Sequence, residues 1–186
     1  MIPEIGHFAL ILALALALAQ GVFPLLGAAR GNLVWMQVGR TTALGQFLFI
    51  AIAIATLTYA FVVKDFSLVY VASNSNSTLP LEFRIAAVWG GHEGSLLMWV
   101  LILAGWTVAI TRFSHHMPED FVARVIGVMG LVSAGFLAFL LLTSNPFLRL
   151  IPAPPDGRSL NPLLQDWGML LHPPMLYMGY VGFSVA

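Results

Sequence analysis

Residues Ile5–Ala29 read IGHFALILALALALAQGVFPLLGAA, a run without a single Asp, Glu, Lys or Arg. About 20 such residues are what an α-helix needs to cross the hydrocarbon core of a bilayer. Leucine and alanine are strong helix formers, and Gly21 and Pro24 near the far end mark the place for a kink. The run begins almost at Met1, has no basic segment ahead of it, and outlasts a signal-peptide core, so it reads as a span. Working outward, three more segments have the same character: approximately Thr42–Val63, Gly94–Phe113 and Arg124–Thr143. A fifth opens at Pro173 and ends with the sequence at Ala186, too short to cross. None shows strand alternation, so the expected fold class is all-α. It is a polytopic transmembrane helical bundle with four full spans plus the start of a fifth, at about 5–29, 42–63, 94–113, 124–143 and 173–186. These make a single membrane domain over residues 1–186. Because the sequence stops in apolar text, it reads as the N-terminal part of a longer protein.

Composition agrees. Hydrophobic residues make up 59% of the 186 residues and charged residues 9%, with a mean hydropathy of +0.90. A soluble domain carries roughly 25% charged residues. There is no cysteine, which excludes disulfides, thiol catalysis and cysteine-ligated metal or haem. A net charge of +0 and the lack of any basic run leave no nucleic-acid surface. Even crossings put the connections 64–93 and 145–172 on one side, and Arg30–Arg40 and Arg112–Arg124 on the other. Each pair holds four basic residues, Lys64, Arg84, Arg149 and Arg158 against Arg30, Arg40, Arg112 and Arg124, so a count does not orient the chain. The short loops hold theirs closer to the span ends, which favours them as cytoplasmic. The N-terminus and both long loops are then external.

The long loops carry the chemistry. Tyr70–Thr78 is a cluster of polar turn formers, and Leu81–Trp89 has the pattern of an amphipathic helix on the membrane surface. Trp89-Gly-Gly-His-Glu-Gly-Ser95 follows; its lone His92–Glu93 pair lacks metal-site spacing and reads as a polar cap. Trp35, Trp89 and Trp167 sit where interfacial anchors belong. Trp99 and Trp106, seven apart, form a packing stripe. His7, His115 and His116 carry no assigned role.

In Leu160–Tyr180, LNPLLQDWGMLLHPPMLYMGY, His172 is followed by Pro173 and Pro174. Proline suits the first turn of a helix, so His172 is expected at the water–lipid boundary, at or just before a helix N-terminus. The positive end of that helix disfavours imidazolium, and a neutral imidazole is the form that ligates haem iron or another metal. An interfacial residue that caps the helix satisfies the same pattern.

Three strings add a resemblance: VYVASNSNSTLPLEFRIAAVWGGHEGSLLMW, TSNPFLRLIP and SLNPLLQDWGMLLHPPMLYMGYVGFSVA. They resemble the N-terminal region of the cytochrome c maturation protein F family, haem lyase subunits of the bacterial inner membrane, and the likeness runs along essentially the whole chain. A paralogue serves maturation of nitrite-reductase cytochromes. The resemblance implies that external loops hold incoming haem through two histidines, the first of which matches His172. The tryptophan-rich platform, the second histidine and the pair ligating a structural b-type haem are expected beyond Ala186, so this piece is expected to be inactive alone. It further implies a haem-delivering chaperone, apocytochrome c and a membrane subunit that presents the apocytochrome. The b-type haem becomes c-type when cysteine thiols of a Cys-x-x-Cys-His motif join its vinyl groups. Arg84, Arg149 and Arg158, on the side of His172, are candidates to pair with haem propionates.

Two other readings stand beside this one. A transporter or channel subunit fits several spans and a Gly/Pro-interrupted helix, but no charged residue lies deep within the apolar segments. A non-catalytic scaffold docking other membrane subunits also fits.

Overall fold

The polar residues that close one helix open the next, and this sets the element bounds. The computed structural model describes residues 1–184. Helix α1 (Ile2–Arg30) ends at Gly31, whose left-handed backbone (φ 64) suits a residue without a Cβ. Asn32 then accepts a hydrogen bond from the Trp35 amide at 3.2 Å and caps α2 (Leu33–Val62). The connection expected over Arg30–Arg40 is therefore a two-residue turn. Arg40 lies inside α2, where its guanidinium donates to the Thr111 carbonyl at 2.7 Å and pairs with Glu119 at 3.1 Å.

A short helix α3 (Val69–Asn74) occupies part of the stretch expected to be turns. The helix expected within Leu81–Trp89 forms as α4 (Leu81–Ala86), continued by a 3-10 turn over Ala87–Trp89, with Ala86, Ala87 and Val88 buried. Helices α5 (His92–Phe113) and α6 (Glu119–Leu142) follow, joined by 114–118, so Arg112 and Arg124 also lie in helices rather than in a connection. After a 3-10 turn at Pro162–Leu164, α7 (Trp167–Gly182) ends the described chain; the expected span end at residues 185–186 lies outside the described residues.

The class is all-α, with α1, α2, α5 and α6 long and apolar enough to cross a membrane. These four pack as a bundle, α1 against α2 and α6, with α5 against the other side of α2 and α6. Where α1 crosses α6, a Cβ on Gly130 would lie 2.7 Å from the Gly21 amide nitrogen. Small residues give membrane helices close contact where water supplies no hydrophobic drive. Leu10, Ile50, Leu57, Phe61, Leu97 and Leu137 fill the interior. Phe8, Leu48, Val128 and Leu131 face outward.

One end of the bundle gathers the N-terminus and both long loops. Arg149 pairs with Glu4 at 2.5 Å and Asp65 at 3.5 Å, and also bonds the Ser67 hydroxyl. His7 and the Asn145 side chain are 3.0 Å apart. The Arg158 amide donates to the Ala72 carbonyl at 2.7 Å. The expectation that these loops share one side agrees with this packing. Helices α5 and α7 both start here and run side by side in the same direction.

Candidate functional site

The segment Trp89–Ser95 is built from the inside. Tyr70, 3% exposed, places its hydroxyl 3.1 Å from the Val88 carbonyl and 3.0 Å from the Gly91 amide. The oxygen therefore donates to one backbone group and accepts from another, and burial pushes its pKa well above the usual tyrosine range. A Cβ on Gly94 would sit 1.6 Å from the Val88 carbonyl oxygen, so only glycine lets α5 begin directly beneath the 3-10 turn. Trp89, His92, Ser95, Trp99, Phe136 and Tyr177 line an aromatic groove of about 520 Å³. His92 meets the edge of Phe139, with ring centroids 6.0 Å apart.

His172 is not where the sequence places it. Helix α7 starts at Trp167, because the Asp166 carboxylate accepts from the Gly168 and Met169 amides at 2.8 and 3.2 Å. His172 thus lies within the helix, six residues past its cap, and Pro173 and Pro174 are interior prolines rather than its first turn. The expected position at or just before the helix N-terminus therefore does not hold. The Asp166 cap was a legible signal for this earlier start.

An interior proline leaves the carbonyl four residues earlier without its helical donor. For Pro174 that carbonyl belongs to Leu170, and the Trp89 indole N–H donates to it at 3.1 Å. Seven residues on, Tyr177 shares a short hydrogen bond with Ser95. Val181 is buried against Leu103 and Met129, while the Trp106 indole donates to the Met178 carbonyl at 3.3 Å. Trp167, although exposed, also packs at 6.1 Å from Phe83 of α4. Leu170, Tyr177 and Val181 thus define the inner face of α7. His172 is exposed on the other face, with Met175, Leu176 and Phe183, also exposed, at helical spacing.

The three arginines are used differently. Arg84 donates to the Val62 carbonyl at 2.6 Å and closes the end of α2. Arg149 is held in the ion network with Glu4 and Asp65. Arg158 is exposed, fixed through its backbone. Among the described residues no three His, Cys, Asp or Glu side chains gather as a metal site. His172 is one of several exposed imidazoles: His92 lies in the aromatic groove, and His115 and His116 lie between α5 and α6.

Residues 89–186 match the family model for the cytochrome C assembly protein, more than half of the chain. Along its whole length the chain is 62% identical to the cytochrome c-type biogenesis protein CcmF of Pseudomonas aeruginosa, and 57% identical to that of Escherichia coli. It is 44% identical to the biogenesis protein NrfE of Haemophilus influenzae. A solved structure of the cytochrome c haem lyase CcmF superimposes on all of the chain with a TM-score of 0.87 at 28% identity. The chain spans 28% of the length of the Pseudomonas relative and 29% of the solved chain. By sequence and by fold, the chain belongs to the cytochrome c assembly protein family.

Proposed function

We propose that this chain is a working part of a haem lyase subunit of cytochrome c maturation, in which His172 is an axial ligand to the iron of incoming haem. The observation that carries this reading is the placement of His172. Its ring is exposed on α7, on the side away from Leu170 and Tyr177, which bond Trp89 of the 3-10 turn and Ser95 of α5. Haem is the substrate here. Its iron accepts an imidazole nitrogen, and its apolar macrocycle suits a surface built of Met175, Leu176 and Phe183.

The protein's work is ligation, orientation and exclusion of side reactions. The thiols of an apocytochrome Cys-x-x-Cys-His motif add across the haem vinyl groups, each S–H proton passing to a vinyl carbon as the C–S bond forms. No nucleophile from this chain takes part, consistent with the lack of cysteine. A second axial histidine, a haem-delivering chaperone and an apocytochrome-presenting subunit complete the assembly in this reading. The site lies at the external face of a bacterial inner membrane. Arg158, exposed near the long loops, is available for a haem propionate; Arg84 and Arg149 would have to share contacts they already make.

Full-length protein purified from membranes provides the test. His172→Ala is expected to weaken or shift the Soret band and to abolish haem attachment to a co-expressed c-type cytochrome. An unchanged spectrum with attachment intact would remove the ligand role from His172.

A further inference from the structure

The segment Val88–Gly91 and the segment Leu170–Pro174 are about eighty residues apart in sequence, yet they share a hydrogen bond that a proline makes necessary. Pro174 has no N–H, so the Leu170 carbonyl has no partner within α7. The Trp89 indole N–H, 3.1 Å away, stands in for it. Trp89 is itself held from behind, since buried Tyr70 fixes the backbone on both sides through Val88 and Gly91. The backbone that carries the donor is thus held on both sides of Trp89. Two residues beyond Leu170 is roughly 200° around a helix, which turns His172 away from Trp89. Tyr177, at seven residues from Leu170, returns to the same inner face and is tied to Ser95. Rotation of α7 is therefore fixed on either side of His172.

We propose that Trp89 is the positioning residue of the His172 site: its indole replaces the backbone donor that Pro174 lacks and sets the rotation of α7 that points the imidazole outward. This rests on the reading of His172 as a haem ligand. Pro174 keeps the Leu170 carbonyl free for an outside donor, and Trp89 makes the orientation depend on the neighbouring loop rather than on helix hydrogen bonding alone.

The test uses full-length protein, with haem and after its removal, in four forms: wild type, Trp89→Phe, Pro174→Ala and the double variant. Phenylalanine keeps an aromatic ring but has no N–H. Alanine at 174 restores the backbone donor to Leu170. Trp89→Phe is expected to lower haem occupancy roughly three- to tenfold, the factor that one net hydrogen bond is worth. It should also change the electron paramagnetic resonance g values of the remaining ferric haem, which follow the imidazole orientation. In the haem-free protein, amides between Leu171 and Tyr177 should exchange faster. In the Pro174→Ala background, Trp89→Phe should have none of these effects. Equal effects in both backgrounds would overturn the carbonyl mechanism, and no change in exchange on Trp89→Phe would overturn the positioning role. If His172→Ala leaves the spectrum unaltered, His172 is not the ligand, whereas failure of the Trp89 series with His172→Ala still effective removes only the positioning role of Trp89.

Discussion

Gly94 illustrates how much one missing carbon decides. A methyl group there would meet the Val88 carbonyl oxygen at 1.6 Å and the Tyr70 hydroxyl at 2.6 Å, and backbone cannot swing aside as a side chain can. Gly94→Ala is therefore expected to push α5 off the 3-10 turn, at a cost of about 1–3 kcal/mol, the usual range for overpacking. A thermal melt in detergent should show a lower midpoint. Gly135→Ala on α6, where nothing lies within 4 Å, should leave the midpoint level or higher because alanine is the better helix former. Equal melts for both variants would refute the steric account. At this scale the sequence was only partly legible. His172 stands out from its neighbours Pro173 and Pro174, but its pairing with Trp89 through Leu170 was not readable, because the carbonyl that needs a donor carries no residue signature. Nor did the sequence say that Arg149 would be held by Glu4 and Asp65, partners 145 and 84 residues away.

Among the elements, the two long loops are locked by Asp156. Its carboxylate accepts from the Ser77 hydroxyl at 2.6 Å, the Ser77 amide at 2.8 Å and the Gly157 amide at 2.7 Å. The Ser77 hydroxyl bond foremost, then the two amides, hold the Asp156 pKa below its ordinary value. A depressed carboxylate adds stability above the unfolded-state pKa and loses it as pH falls through the folded value. The clasp should thus be closed at neutral pH and open in acid, below the usual carboxylate range. Hydrogen exchange over 72–80 and 153–160, corrected for the intrinsic pH dependence, should rise in acid for wild type. In Asp156→Ala it should be raised at every pH; matching profiles in the two proteins would exclude the clasp. The four spans were legible as elements because long uncharged runs have no other stable form in lipid. Their ends were less so. Charge counting put Arg40 in a loop, yet the Asn32 cap starts α2 nine residues before Thr42, and an arginine near a membrane helix end satisfies itself on Thr111 and Glu119. The double proline misled in the same way, since α7 tolerates it once Trp89 supplies a donor.

Seen as a whole, the molecule has one elaborate end and one plain end. Helices α1 and α2, with 29 and 30 residues, are each about 43–45 Å long at 1.5 Å per residue and exceed a hydrocarbon core of roughly 30 Å. Glu4, Asp65 and Arg149 form their network at the end of the bundle where α5 and α7 begin. His172, in the second turn of α7, belongs to that end, whereas residues 114–118 and the turn at Gly31 belong to the other. The proposed haem site requires the elaborate end to face away from the cytoplasm. This segment contains no cysteine, so single introduced thiols report its sidedness once any other cysteine of the full-length protein is replaced. Ser159→Cys, exposed in the second long loop, should react in intact spheroplasts with a maleimide that does not cross membranes. Met117→Cys, exposed between α5 and α6, should react only after the membrane is permeabilised. The opposite pattern would put His172 in the cytosol, where an external chaperone has no access to it, and the haem-delivery reading would fail even if the imidazole bound iron in purified protein.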